Sequence, residues 1–243
     1  MNILIIGGMH GNEPLGPAIV AALRRRPIAG VTTILANPRA IKTNTRFIEQ
    51  DLNRSFPGDA SSALYEPRRA AVVMQRAQGY DLVLDFHNTL CPDNDCAFIG
   101  PTPAGILMQA ASFIDLTRVI TAEYDCINKY LPNCLSIEIS IAGPRMTISA
   151  WTQIIAKLAA ASSLPPARSI RRYRYLYTLT NADRDTHQLT KAGLRVFQPL
   201  PRRLSNLLGQ PHPVYPIFLG QNYTQNVYGG LIEDAGEFAA IAK

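Results

Sequence analysis

Cysteine is scarce in this chain of 243 residues: Cys91, Cys96, Cys126 and Cys134 are irregularly spaced and include no CxxC pair. A disulfide framework is thereby excluded, and reduced thiols in a cytoplasmic protein are expected. Charged residues are few, 17% against 47% hydrophobic, which suits a globular core and rules out a self-repelling disordered chain. No apolar run approaches the roughly 20 residues that cross a bilayer, so no membrane association is expected. The start lacks the basic segment and small-residue cleavage site of a secretory leader. Met1 leads directly into Ile3–Ile6, which reads as a core strand. Internal repeats and low-complexity stretches are absent as well.

The net charge of +6 is dispersed: Arg24–Arg26 close a helical pattern, and Arg171, Arg172 and Arg174 form a second group. No basic stripe or aromatic-interleaved motif accompanies them, so nucleic acid is not an expected partner. Attraction of small anionic substrates explains the same balance.

What is present is an alternation of strands and helices. Ile3–Ile6 is a continuous apolar run, as in a strand buried on both faces. Pro14 opens a helical pattern carried by Leu15, Ile19, Val20 and Leu23 up to Arg26. Strands are predicted at Thr32–Ala36, Asp81–Phe86, Cys96–Ile99, Arg118–Thr121 and Cys134–Ser140. Helices are predicted at Ala60–Gln78, Pro103–Phe113 and Ser149–Ser162. Between Asn37 and Gly58 runs a polar segment too long for a routine connector, hence functional or mobile. These elements predict a doubly wound, mostly parallel α/β sheet. After Leu164-Pro165-Pro166 the helical signal fades. Arg172–Leu179, Thr186–Leu189, Leu194–Phe197 and Val214–Leu219 read as strands, followed by a glycine-punctuated tail. The expected division is a domain over 1–165 and a small β-rich C-terminal domain over 166–243.

Histidine, too, is rare, with four in all, and two of them stand at tips of predicted parallel strands. His10 and Glu13 follow the first strand and His87 follows the third. Loops beyond the carboxyl ends of parallel strands converge on one crevice. Two imidazoles and a carboxylate suit zinc and leave a tetrahedral ion one open position. Taken singly, each residue has a plainer reading as a hydrogen-bonded turn residue or a carboxylate at a helix N-terminus. Gly7-Gly8-Met-His-Gly11 also resembles a dinucleotide loop, but its glycine pattern is incomplete and the second strand ends without the acid that holds a ribose.

Several motifs then occur in order: Gly8-Met-His10-Gly-Asn-Glu13, Ala36-Asn-Pro-Arg-Ala40, Thr45-Arg46-Phe, Asp51-Leu-Asn53-Arg54-Ser-Phe56, Asp85-Phe-His87-Asn88-Thr89 and Ile137-Glu138. Together they resemble the succinylglutamate desuccinylase/aspartoacylase family, over most of residues 3–140 and more loosely beyond. The resemblance implies the zinc-carboxypeptidase fold and one zinc ion per chain, held by His10, Glu13 and His87. It implies Glu138 as general base and acid, with a buried salt bridge as the alternative. Arg46 would polarise the scissile carbonyl, Asn53 and Arg54 would grip the free α-carboxylate, and Tyr124 and Asn88 would join the substrate site; a solvated charged loop is the alternative for the arginines. Asp85, two residues before His87 on the same strand face, would orient that imidazole or bind a backbone amide. Asp51 would fix its own loop. A tyrosine from the C-terminal stretch would reach the site, Tyr223 first and Tyr228 in competition.

The chain departs from the pattern at Asn128, where the family has an arginine for an acidic side chain. Lys129 and Arg145 are candidates to replace that charge. The activity implied is zinc-dependent hydrolysis of a small N-acyl amino acid by a cytoplasmic amidohydrolase, with a homo-oligomer allowed. The alternatives are a zinc carboxypeptidase on the same fold and a non-catalytic metal- or carboxylate-binding protein.

Overall fold

A computed structural model describes residues 1–189, 193–220 and 226–238. The strands are β1 (Ile3–Gly7), β2 (Val31–Leu35), β3 (Leu82–Thr89), β4 (Cys96–Ile99), β5 (Arg118–Thr121), β6 (Cys134–Ser140), β7 (Ile170–Thr180), β8 (Val214–Ile217) and β9 (Val227–Phe238). They form one sheet in the order β2-β1-β3-β6-β4-β5-β7-β9-β8. The pairs β1–β2, β1–β3, β3–β6, β4–β5 and β5–β7 are parallel, whereas β4–β6, β7–β9 and β8–β9 are antiparallel. The sheet is therefore mixed and mostly parallel.

Both faces of its first part are covered, which is why β1 is apolar at every position. Ile3 and Ile5 pack with helices α1 (Leu15–Arg25), α4 (Ile106–Phe113) and α6 (Ile148–Ala160), through Leu15, Ile19, Leu107, Trp151 and Ile155. Leu4 and Ile6 face the other way, against Ala70 and Val73 of α3 (Tyr65–Arg76) and against Leu52. Burying such side chains stabilises the fold by about 1.5–3 kcal/mol each. Among the remaining helices, α2 (Pro38–Thr43) and α5 (Ile127–Tyr130) are short. No helix among the described residues is long and apolar enough to cross a membrane.

The C-terminal strands are added to the edge of the same sheet, since β7 pairs with β5. They carry their own apolar cluster around Leu179, Val214, Tyr228 and Leu231. Two expected strands there are corrected. Of the expected strand Thr186–Leu189, Thr186 ends a helix, α7 (Asn181–Thr186), begun by a reciprocal capping box of Thr180 and Asp183, and residues 187–189 belong to no strand. Residues 194–197 belong to no strand, and Phe197 lies at φ 57°. Conversely, the glycine-punctuated tail is a twelve-residue strand, β9. Helix α3 begins at Tyr65 rather than at Ala60, because Asp59 accepts from the backbone and hydroxyl of Ser61 and bends the chain.

Candidate metal and substrate site

The loop after β1 turns on two glycines. Gly8 sits at φ 69°, and a Cβ on Gly11 would lie 2.0 Å from the carbonyl carbon of Ala40 in α2. The turn is thus built for close packing against α2, and Gly11 N–H donates to Arg46 O at 3.2 Å. It delivers His10 and Glu13 into the sheet's carboxyl end. His87 arrives from β3, which runs on through Thr89 rather than stopping at Phe86, as expected. Its continuation pairs His87 with Glu138 of β6.

One ligand atom each from His10, Glu13 and His87 lies within 4.8 Å of the others, and all three residues are buried. Nδ1 of His10 is 2.7 Å from Glu13 Oε1, and Nδ1 of His87 is 3.0 Å from Glu13 Oε2. The far nitrogens each meet an aspartate: His10 Nε2 with Asp51 Oδ1 at 3.2 Å, and His87 Nε2 with Asp85 Oδ2 at 2.7 Å. A carboxylate behind each imidazole fixes its tautomer and turns the other nitrogen inward, as metal-binding histidines require. Asn88 N–H also donates to Glu13 Oε2.

The electrostatics favour a cation. Burial alone would raise the Glu13 carboxyl, but His10 and His87 beside it hold it well below the usual carboxylate range. Burial likewise opposes charge on His87, yet the Asp85 and Glu13 carboxylates push its pKa well above the ordinary value. Two imidazole nitrogens and a carboxylate oxygen are N and O donors of the kind that match zinc.

Arg46 donates through Nε and Nη2 to Asp51 Oδ2, at 3.1 and 2.8 Å, and its Nη1 is 3.6 Å from Glu13. Asp51 is partly buried; burial would raise its carboxyl, but His10, Arg46 and Arg54 hold its pKa well below the usual value. Besides bonding Arg46 and His10, it accepts from Asn53 N, so it ties the loop to the metal ligands rather than only to itself. Asn53 Oδ1 accepts from Ile127 N at the start of α5. Arg54 lies 4.4 Å above the Tyr124 ring, and Tyr124 packs edge-on against Tyr175 at 5.3 Å. Arg54 Nη1 donates to Asn53 O at 2.9 Å, and among the described residues no carboxylate lies within ion-pair distance of its guanidinium.

Glu138 borders the same cavity of about 390 Å³. Burial pushes its pKa up to about 7; His87 lowers it and Glu13 raises it further. Asn88 also borders the cavity, but its side chain is engaged by the backbone, accepting from Leu15 N at 2.9 Å and donating to Ile139 O at 3.1 Å. Tyr223 lies outside the described residues. Tyr228 is buried in the C-terminal apolar cluster, under the guanidinium of Arg184, and does not line the cavity.

Neither replacement cation reaches the cavity. Lys129 pairs with Asp125 at 2.7 Å on the surface, and Arg145 donates to the carbonyls of Ile114 and Asp115 beside Trp151. Asn128 itself is saturated: its amide donates to Phe98 O and Cys134 O, and its oxygen meets the Ser136 hydroxyl at 2.9 Å. The wall away from the metal ligands is made by Phe98, Tyr124, Tyr175, Phe218 and Val227, with Phe98 and Phe218 stacked at 5.8 Å. A Cβ on Gly230 would strike the Tyr175 ring at 2.7 Å, so this glycine lets the ring lie across β9. Sequence reasoning named Tyr124 but missed the other four wall residues. For Ser136 a signal existed, since it stands two positions before Glu138 on one strand face.

The catalytic-domain model of the succinylglutamate desuccinylase/aspartoacylase family matches residues 1–130. The N-acyl-aromatic-L-amino acid amidohydrolase (carboxylate-forming) B of Danio rerio is 35% identical over 108 residues, covering 36% of this chain and 34% of that protein. A probable aspartoacylase of Nostoc sp. is 28% identical over 137 residues, covering 50% of this chain and 47% of that protein. The chain thus spans between a third and a half of the length of these curated relatives. Among solved structures, murine aminoacylase 3 superposes with a TM-score of 0.72 at 21% identity, covering 100% of this chain and 98% of that one. The succinylglutamate desuccinylase of Chromobacterium violaceum does so at 0.74 and 17%, covering 97% and 85%. At such identities the likeness establishes the fold. With a match over more than half of its length, the chain belongs to the succinylglutamate desuccinylase/aspartoacylase family.

Proposed function

We propose that the protein is a zinc-dependent amidohydrolase that splits a small N-acyl amino acid into a carboxylic acid and the free amino acid. The observation that carries this reading is the meeting, in one cavity, of the His10–Glu13–His87 triad, Glu138, Arg46 and Arg54. One zinc ion per chain would be held by the triad, and when bound it supplies Lewis acidity that polarises a carbonyl and acidifies water. Glu138, with a pKa near neutrality, takes the proton of the attacking water and passes it to the departing amine. Arg46, held on Asp51, points its guanidinium at negative charge developing on the carbonyl oxygen. Asn53 and Arg54 bind the free α-carboxylate, with Tyr124 fixing the plane of the Arg54 fork.

The side-chain subsite is taken to receive an uncharged group. Among the described residues the cations lining the cavity are Arg46 and Arg54, both assigned above, and the opposite wall is aromatic. Residues 166–243 supply Tyr175, Thr178, Phe218 and Val227 to that wall, and we assign this stretch the role of narrowing the cavity to small substrates. A carboxypeptidase reading shares the carboxylate clamp but needs room for a second residue beyond the scissile bond. Metal analysis of the purified protein, followed by N-acetyl and N-succinyl derivatives of tyrosine, leucine and aspartate and by blocked dipeptides, tests the proposal. Release of free tyrosine or leucine with zinc bound supports it. Shortening of dipeptides transfers the activity to a carboxypeptidase, and zinc binding without turnover of either class overturns catalysis.

A further inference from the structure

We propose that Glu66 is a positioning residue that sets the arginine-bearing loop against the metal-binding loop, and so determines how tightly the substrate's α-carboxylate is held. The inference rests on the hydrolase reading for the identity of the ligand. Its grounds are separate, because Glu66 neither lines the cavity nor belongs to the motifs that point to the site.

Glu66 is completely buried in the first turn of α3. A carboxylate so placed costs several kcal/mol unless its charge is met. Among the described residues no cation forms an ion pair with it. Four N–H groups meet it instead: Oε1 accepts from Asn37 Nδ2 at 3.2 Å and Ile48 N at 2.8 Å, and Oε2 from Glu49 N at 3.2 Å and Gln50 N at 3.3 Å. The N-terminus of α3 adds a favourable dipole.

The three backbone donors are consecutive, and they lie midway between Arg46 and Asp51. No regular element spans that stretch, which runs from the end of α2 to a short 3-10 turn at Leu52–Arg54. Its conformation is therefore held by side chains, and Glu66 takes its three central amides. The fourth donor links Glu66 to the other side of the site. Asn37 caps α2 by accepting from Ala40 N, and its own N–H bonds Gly8 O. Gly11 packs on Ala40 and donates to Arg46 O. One carboxylate thus joins the loop carrying His10 and Glu13 to the loop carrying Arg46, Asn53 and Arg54. A displacement of about 1 Å between such loops is enough to weaken a bidentate grip substantially.

The Glu66→Gln variant keeps the shape but turns an NH₂ toward N–H groups that now find an acceptor. Binding of N-acetyl-L-tyrosine and of its α-carboxamide, measured calorimetrically beside zinc content and melting temperature in a zinc-loaded Glu138→Gln background that does not turn the acid over, with Glu66 intact or replaced, tests the role. The acid should bind about tenfold more weakly to the variant, with its advantage over the carboxamide shrinking by the same factor and zinc content unchanged. Equal weakening of acid and carboxamide, or an undiminished advantage of the acid, overturns the proposal. If Glu66→Gln does not fold, Glu66→Asp is read by the same ratio, with a smaller loss expected and an unchanged ratio counting against the role. Wild type that prefers the acid but hydrolyses nothing defeats the hydrolase reading while leaving this comparison intact.

Discussion

The two sides of the cavity are held in different ways. On the metal side directed bonds hold His10 on Asp51, His87 on Asp85, Arg46 on Asp51, and the loop itself on Glu66. On the far side Phe98, Tyr175, Phe218 and Val227 are placed by ring stacking and by the room that glycines leave in β9. Hydrogen bonds and ion pairs fix atoms to a few tenths of an ångström, as acyl transfer demands. Apolar contacts tolerate a change of shape at modest cost. On the proposed reading, the chemistry belongs to the first side and the choice of side chain to the second.

Breaking the metal side should have the largest effects. Glu138→Gln should lower kcat by about 10²–10⁴-fold with zinc retained, measured by single-turnover hydrolysis beside metal analysis. The same variant has a stability signature without metal. The folded pKa of Glu138, about 7, lies above its ordinary 4.5, so its contribution is fully present below pH 4.5 and is lost as pH rises through 7. Metal-free Glu138→Gln should therefore melt higher than wild type at pH 8, an advantage that disappears by pH 4.

Arg46→Ala should cost about 3–4 kcal/mol in kcat/KM, the typical loss of one oxyanion donor, with the fall concentrated in kcat. Asp85→Asn leaves the ligands in place but removes the anion behind His87. Zinc should then bind about 10–100-fold more weakly in competition with a chelator. On the far side, Phe218→Ala should change kcat/KM only several-fold, for aromatic side chains more than for alanine. An equal loss for both substrates would show that this wall does not select.

The legibility of the sequence follows the same division. His10, Glu13 and His87 could be assembled from strand ends because parallel strands carry their loops to one crevice, and the structure brings their ligand atoms together. Asp85 was legible from strand alternation, and it does meet His87. Strands β1, β5 and β6 were readable from their buried runs. The region after Pro166 was not. Alternation at 186–189 and 194–197 resembled strands, but a capping box and left-handed backbone at Phe197 direct the chain elsewhere. Glu66 was unreadable for a different reason: a Glu on a polar helical turn looks solvated until the loop that covers it is in place.

By itself, the sequence placed His10, Glu13 and His87 at strand ends, indicated the mostly parallel sheet that presents them, and carried motifs that resemble one family. The strands and their ends depend on short segments whose periodicity carries the information locally, and the family on motifs that the chain keeps in order. Only the tertiary structure decided that Asn128 is saturated by backbone carbonyls, that Lys129 and Arg145 face away from the cavity, and that aromatic rings form its far wall. Those facts depend on which partners long-range packing supplies. Phe98 and Phe218, 120 residues apart in sequence, meet only because β4 and the C-terminal strands share one sheet.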